Sequence, residues 1–152
     1  MQNKDDHISM PKAAISFGLA GLIPFISMAA LPYTFFEVKI PESALLAYGA
    51  IILSFLGGLL WGMALNGGDT IRIAPRLLTV GVITSLIGWG ALLLPLTIGL
   101  LTLTLSFLAL LVFDYTLYRA KHIPYWFLKL RVFLTLIVSL TLLIAALAEA
   151  FL

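Results

Sequence analysis

Two charged side chains, Asp114 and Arg131, carry most of the chemistry that this sequence could perform. Asp114 lies near the end of one long apolar segment and Arg131 near the start of the next, on either side of a short connection. A carboxylate within a bilayer is costly unless it is paired or hydrated. We therefore predict that Asp114 and Arg131 form an ion pair that holds the two segments together. A proton or substrate site at the same place, or separate hydration of the two groups, are the alternatives.

Few other residues suit catalysis or cofactor binding. Cysteine is absent, which excludes disulfides, iron–sulfur clusters and thiol catalysis. His7 and His122 both lie outside the apolar segments, so an intramembrane bis-histidine haem has no ligands. No HExxH motif, no phosphate-binding GxxxxGK[ST] motif and no Ser–His–Asp arrangement is present. We expect no cofactor and no metal, and favour a non-enzymatic protein; an enzyme that uses Asp114 and His122 is the remaining enzymatic alternative.

The apolar segments themselves indicate a membrane protein. Of the 152 residues, 62% are hydrophobic and 11% are charged, against about 25% charged in soluble domains. The longest charge-free run, 77–113, would measure roughly 55 Å as one helix, whereas the hydrocarbon core is about 30 Å thick. It must therefore fold back, and Pro95 supplies the break. The sequence predicts an all-α integral membrane bundle, one domain of five transmembrane helices, with spans near 13–34, 43–65, 76–93, 97–118 and 131–150.

The positive charges predict the orientation of these spans, because cytoplasmic loops carry the excess of Lys and Arg. Only Lys39 falls on the other side of a five-span arrangement. We expect the N-terminus inside and the C-terminus outside, with the bilayer as the main partner; a net charge of +2 gives no argument for nucleic acid. Asp5 and Asp6 offset the basic charge before the first run, which favours a retained span over a cleaved signal peptide. The basic residues on the inner side are Lys4, Lys12, Arg72, Arg76, Arg119, Lys121, Lys129 and Arg131.

A strip of small side chains runs along the second span. Its members, Ala50, Ser54, Gly58 and Gly62, recur every four residues and so share one helix face. Small residues let membrane helices approach closely. We expect the strip to pack against another helix of the same chain, with Gly81, Ser85 and Gly88 of the third span as candidate neighbours. A homodimer contact or a docking face for another membrane subunit are the alternatives.

The connection between the fourth and fifth spans combines aromatic and basic residues. Such residues lie at headgroup depth, where rings and cations meet the lipid interface. We predict interfacial lipid contact here, and an anionic-lipid site is the more specific alternative. The residues concerned are Arg119, Lys121, Tyr125, Trp126 and Lys129.

Three stretches together resemble a known family of small polytopic membrane proteins of unknown function. That family includes the mitochondrial "transmembrane protein sixty-nine" and bacterial relatives. The resemblance implies a multi-pass protein of a bacterial inner membrane, or of the mitochondrial inner membrane in a eukaryote, and it implies no reaction. One departure is Leu60, where the family tends to place His or Arg. The stretches are Gly18-Leu-Ala-Gly-Leu-Ile-Pro-Phe25, Tyr48-Gly-Ala with Ser54-Phe-Leu-Gly-Gly58 and Trp61-Gly62, and Pro124-x-Trp126-Phe127 with Leu130-Arg131 and Thr135.

Two further functions compete with the enzymatic one. We favour a non-enzymatic inner-membrane protein that supports the assembly or stability of a membrane complex, because the small-residue strip is present and no charge lies near the centre of a span. The alternative is a binder or carrier of a lipophilic ligand such as a quinone, a lipid or a porphyrin. That function needs a cavity, which we expect beside Pro24 and Trp61.

Overall fold

A computed structural model describes residues 12–30 and 43–151, and these residues form helices joined by short turns, without any strand. A short 3₁₀ helix, Gly68–Ile73, precedes the fourth α-helix. The α-helices are α1 (Lys12–Ala20), α2 (Leu22–Ala30), α3 (Ser43–Leu65), α4 (Ala74–Ala91), α5 (Leu96–Arg119) and α6 (Tyr125–Phe151).

Five helical segments within the described residues are long and apolar enough to cross a membrane. Large hydrophobic side chains are exposed along all of them, which suits a surface covered by lipid rather than by water. The all-helical membrane fold predicted from hydropathy is therefore confirmed. The segments are Lys12–Ala29, Ser43–Leu65, Thr70–Ala91, Leu96–Arg119 and Tyr125–Phe151.

The bounds of two spans differ from those expected. The fifth begins at Tyr125 rather than at 131, because Pro124 starts the helix and Lys129 and Arg131 are carried within it. Charged side chains do not end a helix, whereas proline favours its first turn. The third begins earlier because the 3₁₀ segment continues into α4. For the first span, residues 31–34 lie outside the described part of the chain.

The helices pack as two antiparallel hairpins, α3 with α4 and α5 with α6, and α1 and α2 lie against them. The centre of the bundle is apolar: Phe25, Leu53, Leu103, Phe107 and Leu142 are each 1% exposed or less. α2 contacts both α3 and α6, which places the first span in the seam between the two hairpins.

Glycine allows the closest helix contact, between α3 and α4. A Cβ atom added to Gly57 would lie 2.6 Å from the backbone oxygen of Gly81, and one added to Gly81 would lie 2.6 Å from that of Gly57. Further along, a Cβ on Gly88 would lie 3.1 Å from the backbone oxygen of Ala50 and 3.3 Å from Ser54 Oγ. The expected neighbours in the third span therefore do lie against α3.

The strip of small residues predicted on α3 packs against α4 only in part. Gly58 and Gly62 are exposed, and a Cβ added to either would meet no atom of the described residues within 4 Å. A step of four residues overshoots a helical turn by about 40°, so a strip read at that spacing rotates about 120° between Ala50 and Gly62. Only Ala50 and Ser54 of the predicted strip face α4, and Gly57, which the spacing of four passes over, completes the contact.

Candidate functional site

Asp114 and Arg131 lie together between α5 and α6. Arg131 Nε donates to Asp114 Oδ2 across 2.7 Å, and Asp114 and Arg131 are 4% and 6% exposed. The two helices run antiparallel from the turn 120–124, and each charged residue lies between one and two helical turns from it. The two side chains are therefore level with each other. Each side chain neutralises the charge of the other, and either charge alone would be costly within a span.

Arg131 begins a polar line along α6. Thr135 and Ser139 follow at intervals of four residues and are 1% and 7% exposed. Within the described part of the chain, Arg131 Nη2, Thr135 Oγ1 and Ser139 Oγ have no hydrogen-bond partner. The buried hydroxyls of Thr84 and Thr104, in contrast, each donate to a carbonyl one turn earlier. Because buried polar groups are normally paired, the α6 line is suited to receive polar atoms of a ligand.

A cavity of about 130 Å³ includes part of this polar line in its wall. Among the described residues that line it, Arg131 and Thr135 alone have polar side chains. Phe17 and Phe55 also line it and are 78% and 68% exposed, so the cavity opens at the surface between α1 and α3. An engineered cavity of about 150 Å³ binds benzene, so this one can hold a single ring or a short length of acyl chain. The remaining lining residues are Gly18, Gly21, Leu22, Phe25, Ile52, Leu56, Phe107, Leu134 and Val138.

The break between α1 and α2 shapes one wall of the cavity. Pro24 has no N–H, so it cannot continue the backbone hydrogen bonds of α1, but it is tolerated in the first turn of a new helix. The first span therefore breaks at Gly21, between α1 and α2. The Tyr48 hydroxyl of α3 donates to the Gly21 carbonyl across 3.1 Å. Phe25 then packs edge-on against the rings of Tyr48 and Phe107, with centroids 4.9 Å and 6.4 Å away. Pro24 was expected beside a cavity, and the lining does include its neighbours Leu22 and Phe25.

Trp61, the other residue expected near a cavity, lies at a different opening. Its indole N–H donates to the Leu78 carbonyl across 3.2 Å, and its ring packs on Gly81. It belongs to the contact between α3 and α4 and does not line the cavity beside Arg131. Trp61 lines a separate groove of about 320 Å³ between α3 and α4, so an opening is present beside Trp61 as expected, apart from the cavity beside Arg131.

The residues predicted to contact lipid lie at the turn between α5 and α6. Arg119, Lys121, Tyr125 and Lys129 are exposed, and Trp126 is half-buried. Arg119 donates to the Tyr115 hydroxyl across 3.4 Å. Their contact with lipid stays a prediction.

No group of three His, Cys, Asp or Glu residues is placed to bind a metal ion in 12–30 and 43–151. Sequence reasoning missed Tyr48 and Gly57 as structural residues. It also missed Phe113, whose ring lies 5.1 Å from the guanidinium carbon of Arg76. Aromatic and glycine residues are common in membrane helices, so their types alone gave no signal of these contacts.

Comparison with known proteins assigns the chain to a family. Residues 10–147 match the family described as "Protein of unknown function (DUF3429)". The chain belongs to the DUF3429 family. The resemblance that three stretches of sequence indicated is confirmed.

Relatives of the chain include two vertebrate proteins. It is 37% identical over 134 residues to Transmembrane protein 69 of Xenopus tropicalis, covering 87% of this chain and 53% of that protein. It is 30% identical over 144 residues to Transmembrane protein 69 of Mus musculus, covering 93% of this chain and 58% of that protein. The chain thus spans little more than half the length of these relatives. No solved structure matches it.

The three stretches that carry the DUF3429 resemblance meet at the cavity. The first supplies Gly18, Gly21, Leu22 and Phe25, the second supplies Phe55 and Leu56, and the third supplies Arg131 and Thr135. Leu60, the one departure noted from the resemblance, is 3% exposed and belongs to the apolar core.

Proposed function

We propose that this membrane protein binds a lipophilic molecule in the cavity beside Arg131. One observation carries the proposal: Arg131 and Thr135 are both more than nine-tenths buried, hold donors that no described residue pairs, and line a cavity that is otherwise apolar. A cavity that needed only to be filled would be served better by apolar side chains, because burying an unpaired polar group is costly.

The chemistry of the cavity limits the ligand. Arginine carries only donors, so the polar end of the ligand must present an acceptor oxygen, such as a quinone carbonyl or a lipid ester or phosphate. The apolar part entering the cavity is one ring or a short chain, because the volume is about 130 Å³. A four-ring porphyrin exceeds this size, so we favour a quinone or a lipid over a porphyrin.

A binding titration tests this function. The probe is a short-tailed benzoquinone added to purified protein in detergent, and binding is followed by tryptophan fluorescence. Thr135→Val removes the hydroxyl at constant shape, and Val138→Phe fills the cavity. The matched control is Thr104→Val, because that hydroxyl is also buried but donates to the Leu100 carbonyl outside the cavity.

Both cavity variants should weaken binding and the control should not. A lysophospholipid titrated in the same way distinguishes a quinone site from a lipid site. If neither probe binds, or if all three variants bind as the wild type does, the cavity has no ligand of this class.

A second candidate function is support of a membrane complex through a helix contact. A Cβ atom on Gly58 or Gly62 would meet no described residue within 4 Å, and Gly58 lines a groove of about 320 Å³ between α3 and α4. Another transmembrane helix could approach closely at these glycines.

Affinity isolation in mild detergent tests this candidate. Gly58→Leu and Gly62→Leu should lose a partner protein that the wild type retains. Gly90→Leu is the matched control, because Gly90 in α4 also has open space around its Cβ position. If all three variants recover the same proteins as the wild type, the glycine face is not a docking surface.

We further propose that the basic turns face the cytoplasm, or the matrix of a mitochondrion, and that the membrane is an inner membrane. Arg72 and Arg76 precede or begin α4, and Arg119 and Lys121 lie at the end of α5. The turn 92–95 between these two helices carries no charge. This asymmetry is what the positive-inside rule requires.

A further inference from the structure

A second lipid-accessible feature lies between α4 and α5. It is a groove of about 410 Å³ that shares no lining residue with the cavity beside Arg131. Its walls include Val80, Ile83 and Ile87 of α4 and Leu105 and Phe113 of α5. Ile83 is 49% exposed and Leu105 is 68% exposed, so the groove opens outward along the spans.

Arg76 stands at one end of this groove. It lies one helical turn before Val80, so it shares the face of α4 that lines the groove. Its guanidinium carbon lies 5.1 Å from the centre of the Phe113 ring, which is itself part of the groove wall. The cation–π contact therefore fixes a positive charge where the apolar groove ends.

The charge at this end indicates what occupies the groove. Arg72 lies four residues before Arg76, and both are exposed. An arginine offers five donors in a planar fork that matches phosphate oxygens. The opposite end of α4, where the turn 92–95 begins, carries no basic residue.

We propose that the groove between α4 and α5 binds one phospholipid with an anionic headgroup. Its acyl chain lies along Val80, Ile83 and Ile87, and its phosphate contacts Arg76. An occupant without a phosphate would leave Arg76 without a function in binding, and a lipid of zero net charge would compensate the charges of Arg72 and Arg76 only in part. A free anion would leave the apolar groove without one.

Native mass spectrometry of the delipidated protein in detergent tests the site. Phosphatidylglycerol and phosphatidylcholine with identical acyl chains are titrated in parallel. We expect one molecule of phosphatidylglycerol to bind per protein, and to bind more tightly than phosphatidylcholine. Arg76→Gln should weaken the binding of phosphatidylglycerol by about fivefold, the effect expected of one basic residue near an anionic lipid. It should weaken phosphatidylcholine less, because the choline of that lipid offsets the charge of its phosphate.

Two further variants separate the headgroup from the acyl chain. Ala109→Trp fills the groove from an exposed position on α5, so it should weaken both lipids. Lys12→Gln removes an exposed charge from α1, away from the groove and from the turn predicted to contact lipid, so it should change neither. Circular dichroism checks that each variant keeps the helical content of the wild type.

Three results would overturn the proposal. The first is an equal effect of Arg76→Gln and Lys12→Gln on the binding of phosphatidylglycerol. The second is a variant Ala109→Trp that binds phosphatidylglycerol as tightly as the wild type does. The third is displacement of the lipid by millimolar inorganic phosphate, which would mean that an anion site without an acyl groove accounts for the binding.

Discussion

Gly57 and Gly81 bring the backbones of α3 and α4 into direct contact, since a Cβ atom on either would lie 2.6 Å from the carbonyl oxygen of the other. No larger side chain fits at these two positions without moving a helix. Lipid gives no hydrophobic driving force between helices, so such close packing has to supply the attraction.

The substitution Gly57→Ala should destabilise the protein, and its neighbour supplies the control. We expect a loss of about 1–3 kcal/mol, the usual cost of overpacking, because the new methyl group meets backbone rather than a flexible side chain. Gly58→Ala should be neutral or stabilising by up to about 1 kcal/mol, because its Cβ meets nothing within 4 Å and alanine favours helix. Thermal unfolding in detergent measures both. Equal Tm values for the two variants would contradict the packing described here.

Removing one member of the Asp114–Arg131 pair should be strongly destabilising. Asp114→Asn leaves Arg131 as an uncompensated buried charge, and breaking a buried pair in this way costs about 3–5 kcal/mol. We expect low abundance in the membrane and a lower Tm. Glu149→Gln is the matched control, because Glu149 is exposed near the end of α6.

A double variant separates a structural pair from a functional site. Asp114→Asn combined with Arg131→Gln removes both charges, so it should be less destabilised than the sum of the single variants. If Asp114→Asn keeps normal abundance and Tm but loses ligand binding, the pair acts on the ligand and contributes little to stability.

Much of the fold could be predicted from the sequence because the bilayer allows few alternatives. Apolar runs of membrane length must be helical, since no water is available for free backbone groups. The proximity of Asp114 and Arg131 could be predicted because both lie at similar distances from one turn. The contact at Gly57 could not be predicted from the sequence. It depends on how α3 is rotated about its axis, and a spacing of four residues gives the wrong rotation. The cavity joins four of the five spans, so no local pattern could reveal it.

The end of α5 offers a stabilising substitution. Lys121 has φ 62°, in the left-handed region. The N–H of Lys121 donates to the Tyr118 carbonyl and that of His122 to the Leu117 carbonyl, the pattern of a Schellman motif in which glycine is preferred. Lys121→Gly should raise stability by about 1 kcal/mol, because glycine has no Cβ clash in this conformation. Lys121→Ala also removes the charge but keeps the strain, so a gain in both variants would refute the conformational explanation.

The hydrogen bond from the Tyr48 hydroxyl should stabilise the interruption between α1 and α2 in the first span. Tyr48→Phe removes its hydrogen bond to the Gly21 carbonyl and should cost about 0.5–1.5 kcal/mol. Hydrogen exchange by mass spectrometry should become faster in the peptide that covers α1 and α2, while exchange in α4 stays unchanged. Tyr115→Phe is the control, because Tyr115 is exposed and its hydroxyl accepts a long hydrogen bond from the exposed side chain of Arg119. Equal protection of the first span in both variants would contradict the proposed role.

The chain lacks cysteine, so single cysteines can report which turns share a side of the membrane. Arg72→Cys and Lys121→Cys lie at one end of the bundle, and Leu94→Cys lies in the turn at the other end. In sealed vesicles, a membrane-impermeant maleimide should label the first two from one side and Leu94→Cys from the other. The basic pair should react from the cytoplasmic or matrix side, because basic loops stay where the protein is inserted. Labelling of Lys121→Cys and Leu94→Cys from the same side would contradict the five-span topology, since α5 would then not cross the bilayer.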